Sequence, residues 1–259
     1  MTRIFFIVLV LISSEMASQK SHPVYSVIAH AHNDYDKANP IHNALAHGFT
    51  SLEVDIAYDG QVIKVSHDLA NLDQKPEFES GYLKPFLEAE KPASSYVLLV
   101  DLKNYVEEGV ELLHQILSRY DKHLVSRSRS DENQGTVQIL LSGHYPRLDI
   151  INNERYEYFF IDGRPSLIDS GISPEIMPWI STSYKFYYRR NRKGRNTRIE
   201  LSRLEKYVAD VQKAGYKVRF WNTPDRKKTW KQLTALNVDI IAVDEVRKFH
   251  KVMKNSQKR

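Results

Sequence analysis

The sequence predicts an α/β protein built as a single (β/α)8 TIM-type barrel, regular or distorted, and three observations carry that expectation. Eight short apolar runs of strand character alternate with helix-like stretches, the pattern of a parallel sheet covered by helices. The length of 259 residues suits one barrel of about 250 residues. Polar residues gather where the apolar runs end, which is where barrels of this kind place their chemistry.

Taken in order, the strands are expected at Val24–His30, Ser51–Ile56, Tyr96–Leu102, Thr136–Leu141, Tyr156–Ile161, Met177–Ser181, Lys217–Trp221 and Asp239–Val243. A further run, Val62 to Val65, follows the second strand closely enough to form a hairpin-like arm. Helices are expected at Ile41–Ala46, Val106–Tyr120, Leu201–Ala214, Lys227–Leu236 and Glu245–Lys254. No internal repeat or long low-complexity linker interrupts the alternation, so residues 21–259 read as one domain.

Met1-Thr2-Arg3 followed by Ile4 to Ile12 gives a basic start and an apolar run, so residues 1–20 read as a signal peptide. Export to a periplasm or the exterior is therefore expected, with an uncleaved membrane anchor as the alternative. The chain has no cysteine, which excludes disulfides, a thiol nucleophile and a zinc–thiolate site. Net charge is only +5, but seven Lys or Arg and no acid fall between Lys185 and Arg198, beside Tyr184, Phe186, Tyr187 and Tyr188. Such a segment can meet an anionic membrane surface or phosphate groups, or be a solvated loop. No nucleic-acid-binding motif accompanies it, so nucleic acid is not an expected partner.

The strand ends supply the chemistry. The first run ends in His30-Ala31-His32-Asn33-Asp34, the second carries Glu53 and Asp55, and the arm ends in His67-Asp68. The third ends in Asp101-Leu102-Lys103. Residues two apart on a strand share a face, so Glu53 and Asp55 point the same way, as do Asp101 and Lys103. Hard carboxylate oxygens suit Mg²⁺ or Ca²⁺, the alternative being a salt-bridge cluster with Lys103 or Arg219. Imidazoles can exchange a proton near neutral pH, so His30, His32 and His67 are candidates for acid–base work. Carboxylates able to hold a metal beside paired imidazoles are the parts needed to cleave a phosphodiester. Ser142-Gly143-His144 lacks the G-x-S-x-G context of a serine hydrolase.

These residues resemble the phospholipase C-like phosphodiesterases, the superfamily of glycerophosphodiester phosphodiesterases, phosphatidylinositol phospholipases C and sphingomyelinases D. The likeness runs through Val27-Ile28-Ala29-His30, Gly48, Leu52-Glu53-Val54-Asp55 and Val65-Ser66-His67-Asp68. It continues through Asp101-Leu102-Lys103, Arg219-Phe220-Trp221 and Val238 to Asp244. The segment His30 to Tyr35 looks most like a branch with a His-x-His-Asn-Asp-Tyr signature. Two departures from the glycerophosphodiesterase pattern stand out: His-Arg-Gly is replaced by His30-Ala31-His32, and Pro-Glu-Asn-Thr by Asn39-Pro40-Ile41-His42. The phosphate-holding Arg is thereby missing.

The resemblance implies a phosphoric diester hydrolase acting on a glycerophosphodiester or a phospholipid head group. Glu53, Asp55 and Asp101 would hold Mg²⁺ or Ca²⁺. His30 and His67 would be acid and base, with His32 a close second to His30. Lys103 would meet a phosphoryl oxygen, or remain an ion pair with Asp101 or Glu53. Asn33, Asp34, Arg219 and Trp221 are expected around the substrate, with loop tethering the alternative for Asn33 and Asp34 and a buried barrel-end aromatic that for Trp221. The reaction would end in hydrolysis or in a cyclic phosphate. The rival expectation is a non-catalytic barrel that binds anionic lipid or phosphate.

Overall fold

Alternating side chains decide the architecture, because a strand with one face toward a closed barrel and the other toward helices buries both. The computed structural model describes residues 27–130, 134–190 and 196–257. In chain order its elements begin with β1 (Ile28–Ala31), α1 (His42–Ala46), β2 (Ser51–Tyr58), β3 (Ile63–Val65), α2 (Lys84–Glu88), β4 (Tyr96–Leu102) and α3 (Glu107–Ser118). There follow β5 (Val137–Gly143), α4 (Leu148–Ile151), β6 (Phe159–Gly163), β7 (Trp179–Ser183), β8 (Tyr188–Arg190) and β9 (Asn196–Ile199). The chain closes with α5 (Leu201–Lys213), β10 (Lys217–Trp221), α6 (Lys227–Ala235), β11 (Ile240–Val243) and α7 (Val246–Gln257).

Eight strands pair in parallel in the order β1-β2-β4-β5-β6-β7-β10-β11, and β11 returns to β1. The expected (β/α)8 barrel is the fold. β3 is the expected arm: it pairs antiparallel with β2, with Ile56 opposite Val65 and Tyr58 opposite Ile63, and this pairing lengthens β2 beyond its expected end. That hairpin returns His67 to the level of Asp55, whose carbonyl accepts from Ser66 N–H at 3.0 Å.

Two strands start later than the sequence suggests. β6 begins at Phe159 because Glu154–Tyr156 forms a 3-10 turn, capped by the Asn153 side chain accepting from Arg155 N–H. β7 begins after Pro178, which has no N–H to give a ladder, and Met177 closes a turn onto Ser173 instead. The basic stretch includes an antiparallel pair, β8 with β9, with Tyr188 opposite Ile199. Residues 1–20, Val24 at the start of the first expected strand and 191–195 lie outside the described residues. No helix of the described residues is long and apolar enough to cross a membrane.

Outward-facing residues such as Leu52, Val54, Leu98, Val100, Ile139, Leu141, Val218 and Phe220 join the helices in the main core. Helix α3 presents Val110, Leu113 and Leu117 to it, and α5 presents Leu204, Val208 and Val211, spacings that share one helical face. Inside the barrel, Leu99, Leu140, Phe160, Trp179 and Ile240 form a second, smaller apolar cluster. Each such side chain contributes about 1.5–3 kcal/mol by full burial. The plug fills the lower barrel, so inward residues further along the same strands meet at the mouth.

Candidate active site

Along β1, β2, β4, β5, β6, β7 and β10 the inward positions beyond the plug are polar: His30, Glu53, Asp55, Asp101, Ser142, Asp162, Ser181 and Arg219. Parallel register sets Asp55 beside Asp101 and Asp101 beside Ser142. Oxygens of Glu53, Asp55 and Asp101 all lie within 4.8 Å of one another. Gly143 keeps that space open: at φ +67° a Cβ there would sit 2.5 Å from Asp101 Oδ1 and 2.4 Å from the Leu102 carbonyl oxygen.

Asp55 is the hub. Its Oδ2 accepts from Tyr35 Oη at 2.9 Å, His67 Nδ1 at 2.6 Å and Lys103 Nζ at 2.8 Å. Its Oδ1 is buried without a hydrogen-bond partner. Lys103 also reaches Asp101 Oδ1 at 2.9 Å. Burial works against the Lys103 charge, but Asp101 and Asp55 outweigh it and raise the pKa, so the ammonium persists. Burial raises Asp101 in spite of Lys103. Burial and the Asp55 carboxylate push the Tyr35 phenol far above its ordinary range, which keeps it a donor.

Deeper in the barrel lies a sealed network. Glu53 Oε2 accepts from Arg219 Nη2 at 2.6 Å and lies 2.7 Å from His30 Nε2. Burial would raise Glu53, yet the Arg219 charge and the His30 contact hold its carboxylate far below the usual range. His30 is fully buried, and its other nitrogen, Nδ1, meets Ser51 Oγ at 2.7 Å. Burial first, and then Arg219, push its pKa down to about 4, so the ring is neutral. Nε2 also stands 3.0 Å from Arg219 Nη2, so the tautomer with Nε2–H serves Glu53, with Ser51 donating to Nδ1, and the tautomer with Nδ1–H serves Arg219 and Ser51. On the far side Arg219 Nη1 approaches Asp162 Oδ2 at 3.4 Å. Asp162 also accepts from Ser142 at 3.0 Å and from Ser181.

At the mouth His32 points Nδ1 at Asp244 Oδ1, 2.8 Å away, and Lys37 Nζ stands 3.5 Å from the same oxygen. Burial would lower the His32 pKa, but the Asp244 hydrogen bond and the Glu53 charge together outweigh it and raise it.

The structure therefore brings together Glu53, Asp55, Asp101, Lys103 and His67, and sets His32 at the rim. It also separates several expected partners. Arg219, expected near substrate, is locked between Glu53 and Asp162 at 3% exposure. Asp34 turns into the protein, where Oδ2 accepts from Ile41 N–H at 2.6 Å and Tyr82 Oη at 2.7 Å, so it tethers the loop. Asn33 adopts φ +48° and starts that loop's turn. Trp221 ends β10 half-exposed and is not a buried barrel-end aromatic. Tyr35, Ser51 and the Asp162 network were missed as site residues; inward alternation could have flagged Ser51, Ser142, Asp162 and Ser181, whereas Tyr35 sits in a loop with no periodic signal.

The chain is a (β/α)8 barrel with a carboxylate cluster at its mouth, and it is similar to phosphodiesterases in sequence over residues 18–91 and in fold over most of its length. Residues 18–91 match a family model described as the AIM6-like phosphodiesterase domain. A glycerophosphodiester phosphodiesterase from Parabacteroides distasonis superposes with a TM-score of 0.59 at 16% identity, over 91% of this chain and 99% of the other. A second, from Agrobacterium tumefaciens, gives 0.53 at 13% identity over 88% and 99%. Altered inheritance of mitochondria protein 6 of Kluyveromyces lactis is 22% identical over 84% of this chain and 70% of its own length. The Arthroderma benhamiae homolog is 23% identical over 86% and 82%. These relatives bear a name that refers to mitochondria, and the expectation of an exported or signal-anchored protein is withdrawn on that ground.

The carboxylates fit the divalent metal that such a barrel implies. They offer hard oxygen donors at one point, and the buried, unpartnered Asp55 Oδ1 is an acceptor that an ion would satisfy.

Proposed function

We propose that this protein is a divalent-metal-dependent phosphoric diester hydrolase acting on glycerophosphodiesters or phospholipid head groups. The observation that carries the reading is the convergence of Glu53, Asp55 and Asp101 beside an imidazole, His67, whose side chain is 67% exposed. Held by those carboxylates, Mg²⁺ or Ca²⁺ would neutralise charge on the phosphate. Asp55 fixes His67 through Nδ1 and leaves Nε2 to exchange a proton with an oxygen bound to phosphorus. Lys103 keeps its charge beside the cluster and would meet a phosphoryl oxygen.

The attacking oxygen forms the new P–O bond as the ester P–O bond breaks, and the departing alkoxide takes up a proton. Attack by water gives a monoester; attack by a neighbouring substrate hydroxyl gives a cyclic phosphate. The surroundings favour a lipid-type substrate. Phe186 (61% exposed), Leu69 (54%) and Tyr105 stand in segments that follow strand ends, and Trp221 is the last residue of β10. The basic residues between Lys185 and Arg198 add attraction to an anionic surface, about 1 kcal/mol for each charge close to it.

Turnover of bis(p-nitrophenyl) phosphate, glycerophosphodiesters and short-chain phospholipids tests the reading, with and without chelator. Hydrolysis that chelator abolishes and Mg²⁺ or Ca²⁺ restores is expected, with ³¹P NMR distinguishing monoester from cyclic product. No turnover of any diester, or turnover indifferent to chelator, would contradict it.

A further inference from the structure

The inward face of β6 carries Phe160 in the apolar plug, Asp162 in the sealed network and, two residues on, Arg164. β6 ends at Gly163, but Arg164 precedes Pro165, and a residue before proline is held extended. Arg164 sits at φ −114°, ψ 158°, so the alternation continues and its side chain leaves the backbone on the same side as Asp162. A guanidinium thereby stands at the mouth, its side chain 36% exposed, on the second strand along from Lys103 in the order β4-β5-β6. Arg219, sealed one layer below, does not reach the opening; Arg164 does.

Three contacts aim this group without neutralising it. Nη1 lies 3.2 Å from the Asp162 carbonyl oxygen and 3.4 Å from its Oδ2, and Nη2 lies 3.3 Å from Ser142 Oγ. All are longer than the roughly 2.7–2.9 Å of a strong charge-assisted hydrogen bond. Asp162 is already served by Ser142, Ser181 and Arg219. Tyr145 backs the guanidinium, with its ring centroid 5.6 Å from Cζ, which fixes the plane of the group. Further round the mouth, Asn222 donates to Ser183 Oγ at 3.3 Å and accepts from Lys185 Nζ at 3.0 Å, which adds a second cation to this half. The carboxylates Asp55 and Asp101 belong to β2 and β4, so the opening is polarised from one side to the other.

We propose that Arg164 is the head-group anchor of the site and selects diesters whose head group carries a second anion, a carboxylate or a phosphate. This rests on the phosphodiesterase reading and names the substrate class within it. The planar fork of an arginine fits either anion through two parallel N–H···O bonds. Neighbouring strands lie about 4.8 Å apart, so β4 and β6 are separated by about 10 Å. One diester spans that distance, with phosphorus at the carboxylate cluster and an anion a few bonds away at Arg164. A head group bearing only an ammonium meets a like charge there instead.

Substrate pairs that differ by a single anion supply the test. Glycerophosphoserine is glycerophosphoethanolamine with one added carboxylate, and glycerophosphoinositol is compared with and without one further phosphate on its ring. In the metal-loaded wild type, kcat/KM is expected to favour the anion-bearing member by about tenfold or more, the size of one hydrogen bond between charged groups. Preference within the first pair assigns a carboxylate, and within the second a phosphate. Arg164→Gln should bring the ratio close to one, and Arg164→Lys, which keeps the charge but not the fork, should leave it in between. A merely structural role would lower both members of a pair alike and leave the ratio unchanged. Equal turnover within both pairs in wild type, or a preference that persists in Arg164→Gln, would overturn the assignment. A wild type that cleaves no diester would remove the phosphodiesterase reading, and calorimetric titration then decides the role of Arg164 separately. The probes are O-phosphoserine against O-phosphoethanolamine, and inositol bisphosphate against inositol monophosphate. Tighter binding of the more anionic probe in wild type, lost in Arg164→Gln, upholds the anchor; equal binding within both pairs contradicts it.

Discussion

His30 and His32 are two residues apart on the same inward face, yet one belongs to the sealed interior of the barrel and the other to its rim. The inner layer sets Arg219 between the carboxylates of Glu53 and Asp162, with the neutral His30 ring against Glu53, and has almost no access to water. The rim, with His32, Asp244, His67 and Lys103, keeps side chains partly in solvent. A step of two residues toward the mouth converts a group whose pKa burial depresses into one whose pKa a carboxylate raises. Residue type alone therefore does not define a role in this site. Depth along the barrel axis does.

Breaking the inner layer should have the largest effect. Arg219→Ala would leave Glu53 and Asp162 buried without their shared cation, a change of about 3–5 kcal/mol in stability. Urea or thermal unfolding of the variant checks this. A loss below about 1 kcal/mol would show that water reaches the layer and that the two regions are not electrostatically distinct.

A pH dependence sharpens the same contrast. The folded pKa of His30, about 4, lies below its ordinary value of 6.5. Above pH 6.5 both folded and unfolded chains are neutral at this ring, and its full contribution is present. Between pH 6.5 and about 4 the unfolded chain takes up a proton that the folded chain refuses, so stability falls as pH falls. The loss approaches about 3 kcal/mol in the metal-free protein. Denaturant titrations across this window should show that slope in wild type and not in His30→Asn. Identical slopes would place the ring in contact with solvent.

Much of the fold was legible because the barrel's strands are short apolar runs separated by amphipathic helices, and the closure of β1 onto both β2 and β11 follows from that alternation. The carboxylates were legible for the same reason: Glu53 with Asp55, and Asp101 with Lys103, have the two-residue spacing that fixes a common face. What did not show was depth. Alternation puts His30, His32 and Arg219 on the inward face but gives no sign of which are capped by neighbouring strands, so Arg219 read as a substrate contact when it is an internal counter-charge. The starts of β6 and β7 were obscured by local chemistry, the Asn153 cap and Pro178. Partners distant in sequence were also hidden: Tyr35 on Asp55 and Tyr82 on Asp34 meet only once the barrel closes.

The central claim is that the mouth carboxylates hold a divalent cation, and calorimetric titration of Mg²⁺ and Ca²⁺ into metal-free protein tests it most directly. Wild type should bind one ion saturably, and Asp55→Asn, which keeps the size of the side chain but removes its charge, should bind at least about tenfold more weakly, since altering even the outer partners of metal ligands typically costs 10–100-fold. Glu53→Gln and Asp101→Asn should weaken binding in the same direction. No ion bound by the wild type, or the same affinity in all three variants, would contradict the account.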